Sequence, residues 1–202
     1  MGYTAIVDYG VGNLKSVSNA LSYLGQTSCI TSDAGELERA DAIILPGVGA
    51  FPDAAEKLRG YGLDQLLRRQ AEKKPMLGIC LGMQLLFDWG EEVQHCRGLG
   101  LISGTVKRIP TSLKLPHIGW NSLHFQGNSP LFQGLEEGAN VYFVHSYHGA
   151  ATRPEQVIAV TDYGMPVTAA VQHGLVFGCQ FHPEKSGKVG LGILRAFCEL
   201  EG

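Results

Sequence analysis

The feature that most constrains the fold is an alternation in the first half of the chain. Apolar runs of strand length near residues 4–8, 27–31, 42–46 and 76–80 are separated by segments with helical spacing. The clearest helix falls over 13–24, where Leu14, Val17, Leu21 and Leu24 form one apolar stripe. Such alternation predicts an α/β fold: an open, mostly parallel sheet with helices on both faces. The second half reads differently. Shorter strand-like runs at 101–107, 120–125, 140–145, 156–161, 167–172 and 175–181 predict antiparallel additions. A closing helix over about 187–200 would bury Val189, Ile193, Leu194, Phe197 and Leu200. No linker, repeat or low-complexity segment interrupts the chain, and 202 residues suit one domain spanning 1–202 with a substantial core.

Chemistry concentrates at Gly78-Ile79-Cys80-Leu81-Gly82, where the apolar run from Met76 meets a helix-like stretch, Met83 to Phe87. A strand that turns sharply into a helix crowds its corner residue, so small residues are needed two positions away on either side. The corner lifts its side chain clear of the backbone and aims the first helical amides at whatever that side chain attacks. With sulfur there, the helix N-terminus also favours the thiolate, the nucleophilic form. The competing reading is a buried cysteine between two packing glycines.

A nucleophile needs a base. The run Val176 to Phe181 ends at His182, with Glu184 two positions on. Residues two apart in extended chain point to the same side, and Pro183 restricts its predecessor to extended conformations. The carboxylate can therefore hold the imidazole tautomer, as Cys–His chemistry requires. A strand-like segment at 42–46 then opens into Gly47-Val48-Gly49, whose amides can turn toward a bound group. The amide of Leu81 plus one from Gly47 or Val48 would make an oxyanion site, in which one donor is typically worth about 3 kcal/mol of barrier.

Composition excludes other classes. The formal net charge is −3, from 16 basic and 19 acidic residues without a long run of either, so no nucleic-acid or membrane surface is indicated. No apolar run is long enough to span a bilayer. Thr4 to Val7 is strand-like from the outset, without a leader of signal-peptide type, and five cysteines without close pairing fit a reducing cytoplasm. Cys29, Cys96, Cys179 and Cys198 read as packing residues, and His145 with His148 lacks the further ligands of a metal site.

Gly-Ile-Cys-Leu-Gly-Met-Gln at 78–84, with Phe-His-Pro-Glu-Lys-Ser at 181–186, resembles the triad (class I) glutamine amidotransferases, whose fold is flavodoxin-like. Asp8 to Val17, Pro46 to Phe51, Pro116 to Asn121 and Tyr142 to Tyr147 narrow the resemblance to glutaminase subunits of imidazole glycerol phosphate synthase, over residues 4 to about 198. The resemblance implies a Cys80–His182–Glu184 triad that hydrolyses L-glutamine through a glutamyl thioester, with no cofactor and no metal. It also implies that Gln84 and Glu92 grip the α-amino and α-carboxylate ends of glutamine. The backbone around Gly49 and around His145, Ser146 and Tyr147 would close the pocket. The implied partner is a (β/α)8-barrel cyclase forming a heterodimer, with Asn13, Trp120, Tyr142, His145 and Lys185 at interface or gate positions. Each of these has a plainer reading: Asn13 as a helix N-cap, Trp120 as core, Lys185 as a solvated charge. The alternatives are a glutaminase subunit of another ammonia-channelling synthase, such as pyridoxal phosphate synthase, or a non-catalytic regulatory subunit. Where many triad amidotransferases carry a further glycine, this chain has Val48. A β-branched residue resists positive φ, so the loop is expected to rest with its amide turned away.

Overall fold

The computed structural model describes residues 2–200; the ends of the expected domain, Met1, Glu201 and Gly202, lie outside the described residues. Strands β1 (Thr4–Val7), β2 (Ser28–Thr31), β3 (Ala42–Gly47) and β4 (Met76–Cys80) alternate with helices α1 (Leu14–Tyr23), α2 (Ala34–Arg39), α3 (Phe51–Gly60) and α4 (Leu63–Ala71). After the short helix α5 (Leu81–Leu85) come β5 (Phe87–Gly90), β6 (Cys96–Arg97), β7 (Ile102–Arg108), β8 (His117–Ser122), β9 (His124–Phe125), β10 (Asn140–His145) and β11 (Tyr147–Ala151). Strands β12 (Val157–Asp162), β13 (Pro166–His173) and β14 (Val176–Cys179) precede the closing helix α6 (Gly187–Cys198).

The main sheet has eight strands in the order β2-β1-β3-β4-β14-β13-β12-β9. The pairs from β2 to β14 are parallel, and those from β14 to β9 are antiparallel. Side chains alternate across it as pleating requires. Ile6, Ile44, Leu77 and Ile79 join one core with Val17 and Leu21 of α1 and Ile193, Leu194 and Phe197 of α6. Ala5, Val7, Ile43 and Leu45 join the other, with Leu37 of α2, Leu58 of α3 and Leu67 of α4. Both faces of the parallel strands are therefore covered, the condition under which parallel sheets occur. Beside this body lie a four-stranded sheet, β11-β7-β5-β6, and a two-stranded ribbon, β10-β8.

Three expectations need correction. The helix after Cys80 stops at Leu85, and Phe87 opens a strand, because residues 86–88 bond to the segment 98–102 through Leu101 N and Ile102 N to Leu86 O and Gly98 N to Asp88 O. The run 120–125 is not one strand: β8 pairs with β10, whereas β9 pairs with β12 in the main sheet. In the closing helix Ile193, Leu194 and Phe197 are fully buried and Val189 only partly so, while the helix ends at Cys198 and leaves Leu200 beyond it, partly buried.

Candidate active site

The C-terminal ends of β3, β4 and β14 lie side by side, with β4 in the middle. Gly47 is in register with Cys80, and Cys179 is in register with Ile79. The Gly-rich loop, the cysteine and the segment carrying His182 are therefore delivered to one edge by sheet pairing, although about a hundred residues separate the last two. Open α/β sheets keep their sites at this edge.

Cys80 itself sits at φ 54°, ψ −112°, a positive-φ conformation that L-residues avoid. Such strain costs on the order of 1–3 kcal/mol and persists only where the surroundings impose it. Here they do. A Cβ on Gly82 would lie 1.8 Å from the Leu45 carbonyl oxygen, and one on Gly78 would lie 2.7 Å from the Gly82 backbone. Both glycines flanking the corner are thus required by backbone contact, as the elbow reading expects. The Cys80 side chain is 7% exposed.

His182 follows β14 and is 3% exposed. Its Nδ1 lies 2.8 Å from Glu184 Oε1, and both side chains are buried. Burial alone would lower the imidazole pKa. Charge from Cys80, with the charge and hydrogen bond of Glu184, outweighs it and raises the value to about 9. Nε2 of His182 has no aligned partner within the described residues. The turn is fixed from behind by Ser186, whose Oγ donates to the His182 carbonyl (2.7 Å) and accepts from Tyr142 N (3.0 Å). His182 N in turn donates to the Tyr142 carbonyl.

Cys80 and His182 line one cleft of about 370 Å³, together with Val48, Gly49, Leu81, Gln84, Glu92, Pro116, Val144, His145, Ser146 and Tyr147. Every expected substrate-contact residue is thus brought to it. Gln84 Nε2 donates to the Tyr147 carbonyl (3.1 Å) and to Gln180 Oε1 (3.0 Å). Glu92 Oε2 accepts from Phe51 N (2.8 Å), so it caps the first turn of α3, whose N-cap Ala50 has no side chain able to do so. Of the loop residues, Gly49 takes φ +98°, whereas Val48 keeps a negative φ and is 42% exposed. Tyr9, fully buried, donates its hydroxyl to the Pro46 carbonyl (2.8 Å) at the root of this loop. Burial, with a lesser contribution from Cys80, pushes the Tyr9 pKa upward and keeps that proton in place.

The remaining expected residues lie outside the cleft. Asn13 accepts from Ser16 N (3.4 Å) as the cap of α1, the plainer of its two readings. Trp120 is 58% exposed and stacks edgewise on Tyr142 at 6.1 Å, so it is not core. Lys185 is exposed. Among the described residues no group of three or more His, Cys, Asp or Glu is placed to hold a metal ion, and no helix is long and apolar enough to cross a membrane. The five cysteines are free thiols.

Sequence reasoning missed Gln180, Ser186 and Tyr9. Gln180 is wholly buried and its Nε2 lies 3.8 Å from the Cys80 sulfur. It precedes His182 by two positions and follows the last residue of β14, but nothing local marks it as a neighbour of Cys80.

A nucleophile elbow, a buried His–carboxylate pair and a Gly-rich loop on adjacent parallel strands define an amidotransferase-type site. The Glutamine amidotransferase class-I family model matches residues 5–199, and the chain belongs to this family. Within it, the chain is 50% identical over 195 residues to "Imidazole glycerol phosphate synthase subunit HisH" of Bacillus cereus strain G9842, covering 96% of this chain and 92% of that one. The protein of the same name from Bacillus anthracis strain CDC 684 is 47% identical over the same shares. Two solved structures share the fold. One is a glutamine amidotransferase (TM-score 0.76, 21% identity, covering 98% of this chain and 100% of that one). The other is PurLQS from Thermotoga maritima (TM-score 0.75, 20% identity, covering 98% and 97%).

Proposed function

We propose that this chain is the glutaminase subunit of an imidazole glycerol phosphate synthase, acting through Cys80, His182 and Glu184. The observation that carries the mechanism is the buried 2.8 Å His182–Glu184 pair, whose imidazole lines the same cleft as the strained Cys80 corner. The names of the Bacillus relatives support the choice of synthase.

The sulfur of Cys80 attacks the side-chain amide carbon of L-glutamine. The developing oxyanion is held by the Leu81 amide, at the start of α5, and by an amide of the Gly47–Gly49 loop. With its pKa lifted to about 9, His182 is an imidazolium at neutral pH. It is therefore poised as the acid that protonates the departing ammonia, leaving a glutamyl thioester. Neutral after that step, it removes a proton from the water that releases glutamate. Glu184 orients the ring throughout. Gln84 and Glu92, with the backbone at Gly49 and from His145 to Tyr147, hold the amino-acid end of the substrate.

The released ammonia would be protonated in water and lose its nucleophilicity, so a dry passage into a covering partner is required. The partner is a (β/α)8-barrel cyclase in a cytoplasmic heterodimer, which makes imidazole glycerol phosphate and aminoimidazole carboxamide ribotide for histidine biosynthesis. Asn13, Trp120, Tyr142, His145 and Lys185 lie at or behind the contact. Val48, holding negative φ, keeps the loop amide away from the cleft until the partner is bound, so the isolated chain turns over slowly. In complex with the cyclase, Cys80→Ala should abolish glutamine-driven synthesis while synthesis from added ammonium salt survives. Persistent glutamine consumption in that variant would refute the mechanism, and full turnover by the isolated wild-type chain would refute the gating.

A further inference from the structure

Behind the cleft wall lies a buried relay of polar side chains that the hydrolytic machinery does not use. His145 Nδ1 lies 2.8 Å from the Tyr147 carbonyl, and His145 Nε2 lies 3.1 Å from His117 Nδ1. His117 Nε2 lies 3.3 Å from Asn121 Nδ2, which also donates to the Asp162 carbonyl at 2.7 Å. His117 and His145 are 3% and 6% exposed.

The network admits one proton arrangement. A carbonyl only accepts, so His145 Nδ1 carries the hydrogen and, in a neutral ring, Nε2 is the acceptor. His117 must then donate from Nδ1, which leaves its Nε2 to accept from the Asn121 amide. Every ring nitrogen is satisfied and both rings are neutral. Burial holds the His145 pKa down to about 4, against the raising effect of the Tyr147 carbonyl and with a smaller lowering from His117, His148 and His182. His117 is lowered by burial as well.

His145 and Tyr147 line the cleft, whereas His117 does not. The Tyr147 carbonyl takes two donors, His145 Nδ1 and Gln84 Nε2. The His145 ring is therefore part of what fixes Gln84. His117 is itself held by stacking on Phe143 (centroids 4.8 Å apart) and on Tyr163 (4.1 Å).

We propose that His117 is a positioning residue for glutamine binding: its Nδ1–H holds the ring orientation of His145, whose tautomer the Tyr147 carbonyl sets, and so keeps that carbonyl and, through it, Gln84 in place. This inference rests on the glutaminase reading of the cleft. His117→Phe keeps an aromatic ring for stacking and removes the donor. His117→Asn supplies an amide N–H close to the position of Nδ1–H.

The test uses the full chain and two readouts. Nitrogen-15 histidine spectra should show the unprotonated Nε2 of His145 at its hydrogen-bonded position in the wild type and in His117→Asn, and shifted downfield toward a free imine nitrogen in His117→Phe. Cys80 labelling by a diazoketone analogue of glutamine should saturate at about fivefold higher concentration in His117→Phe, the factor one neutral hydrogen bond carries. The maximal labelling rate should be unchanged, as should the rate with iodoacetamide, which needs no glutamine site. An unaltered His145 Nε2 resonance or an unaltered half-saturation in His117→Phe would overturn the proposal. Should that variant not fold, a His117→Asn protein that loses the hydrogen-bonded Nε2 resonance would overturn it equally. Wild-type protein that reacts with iodoacetamide but never with the diazoketone would overturn the glutamine reading instead, and the spectra would still decide whether the relay exists.

Discussion

At the scale of single residues, the site depends on atoms that have no alternative place to go. Gly82 is the sharpest case. An added methyl would meet the Leu45 carbonyl oxygen at 1.8 Å, so Gly82→Ala must move β3 or open the corner at Cys80. Urea denaturation should register a loss of about 3 kcal/mol or more, with Cys80 labelling by a glutamine analogue largely lost. Glu184→Gln makes a different prediction. The folded-state pKa of His182 is raised to about 9. Stability from that shift is complete below the unfolded value of about 6.5 and disappears as pH rises through the folded one. The stability gap between wild type and Glu184→Gln should therefore be widest in mild acid and close in alkali, which denaturant titrations across that range can measure. Cys80, His182 and both glycines were legible because each carries a local signature: small residues around a corner, or a carboxylate two positions past an imidazole. Tyr9 and Gln180 carry none. Their partners, Pro46 and Cys80, are distant in sequence, and only sheet register brings them close.

At the scale of elements, periodicity worked where one element packs against one surface. The stripe on α1 and the strands at 4–8, 42–46 and 76–80 match the structure within a residue or two. It failed where tertiary hydrogen bonds decide. Leu85 and Leu86 are apolar and helical in propensity, yet α5 ends there because the 98–102 segment claims the backbone oxygens of Leu85, Leu86, Phe87 and Asp88. Lys74 shows the same limit. Its ammonium donates to the carbonyls of Leu37, Glu38 and Ala40, closing the C-terminal end of α2 from thirty-odd residues away, although no sequence pattern announces it. It is 9% exposed, and burial lowers its pKa, opposed mainly by Asp41. Lys74→Met should cost about 2 kcal/mol, because two buried carbonyls and a part-buried one lose a charged donor. Thermal unfolding should show the loss, with Cys80 labelling unaffected below the transition.

At the scale of the whole molecule, the parallel-then-antiparallel organisation was readable because the two halves differ in rhythm, helices separating the early strands but not the later ones. The order of strands was not. No local pattern says that β14 slots beside β4, leaving β13, β12 and β9 to extend the sheet outward. That insertion also determines when the protein can work. The thiol-bearing strand is completed on one side by β3, made before it, and on the other by β14, made about a hundred residues after it. A polypeptide still emerging from the ribosome thus holds a finished cysteine without the imidazole that equips it. Fragments truncated before Val176 should consume no glutamine. The amide is spared until β14 has been added, so a chain that still lacks this strand releases no ammonia.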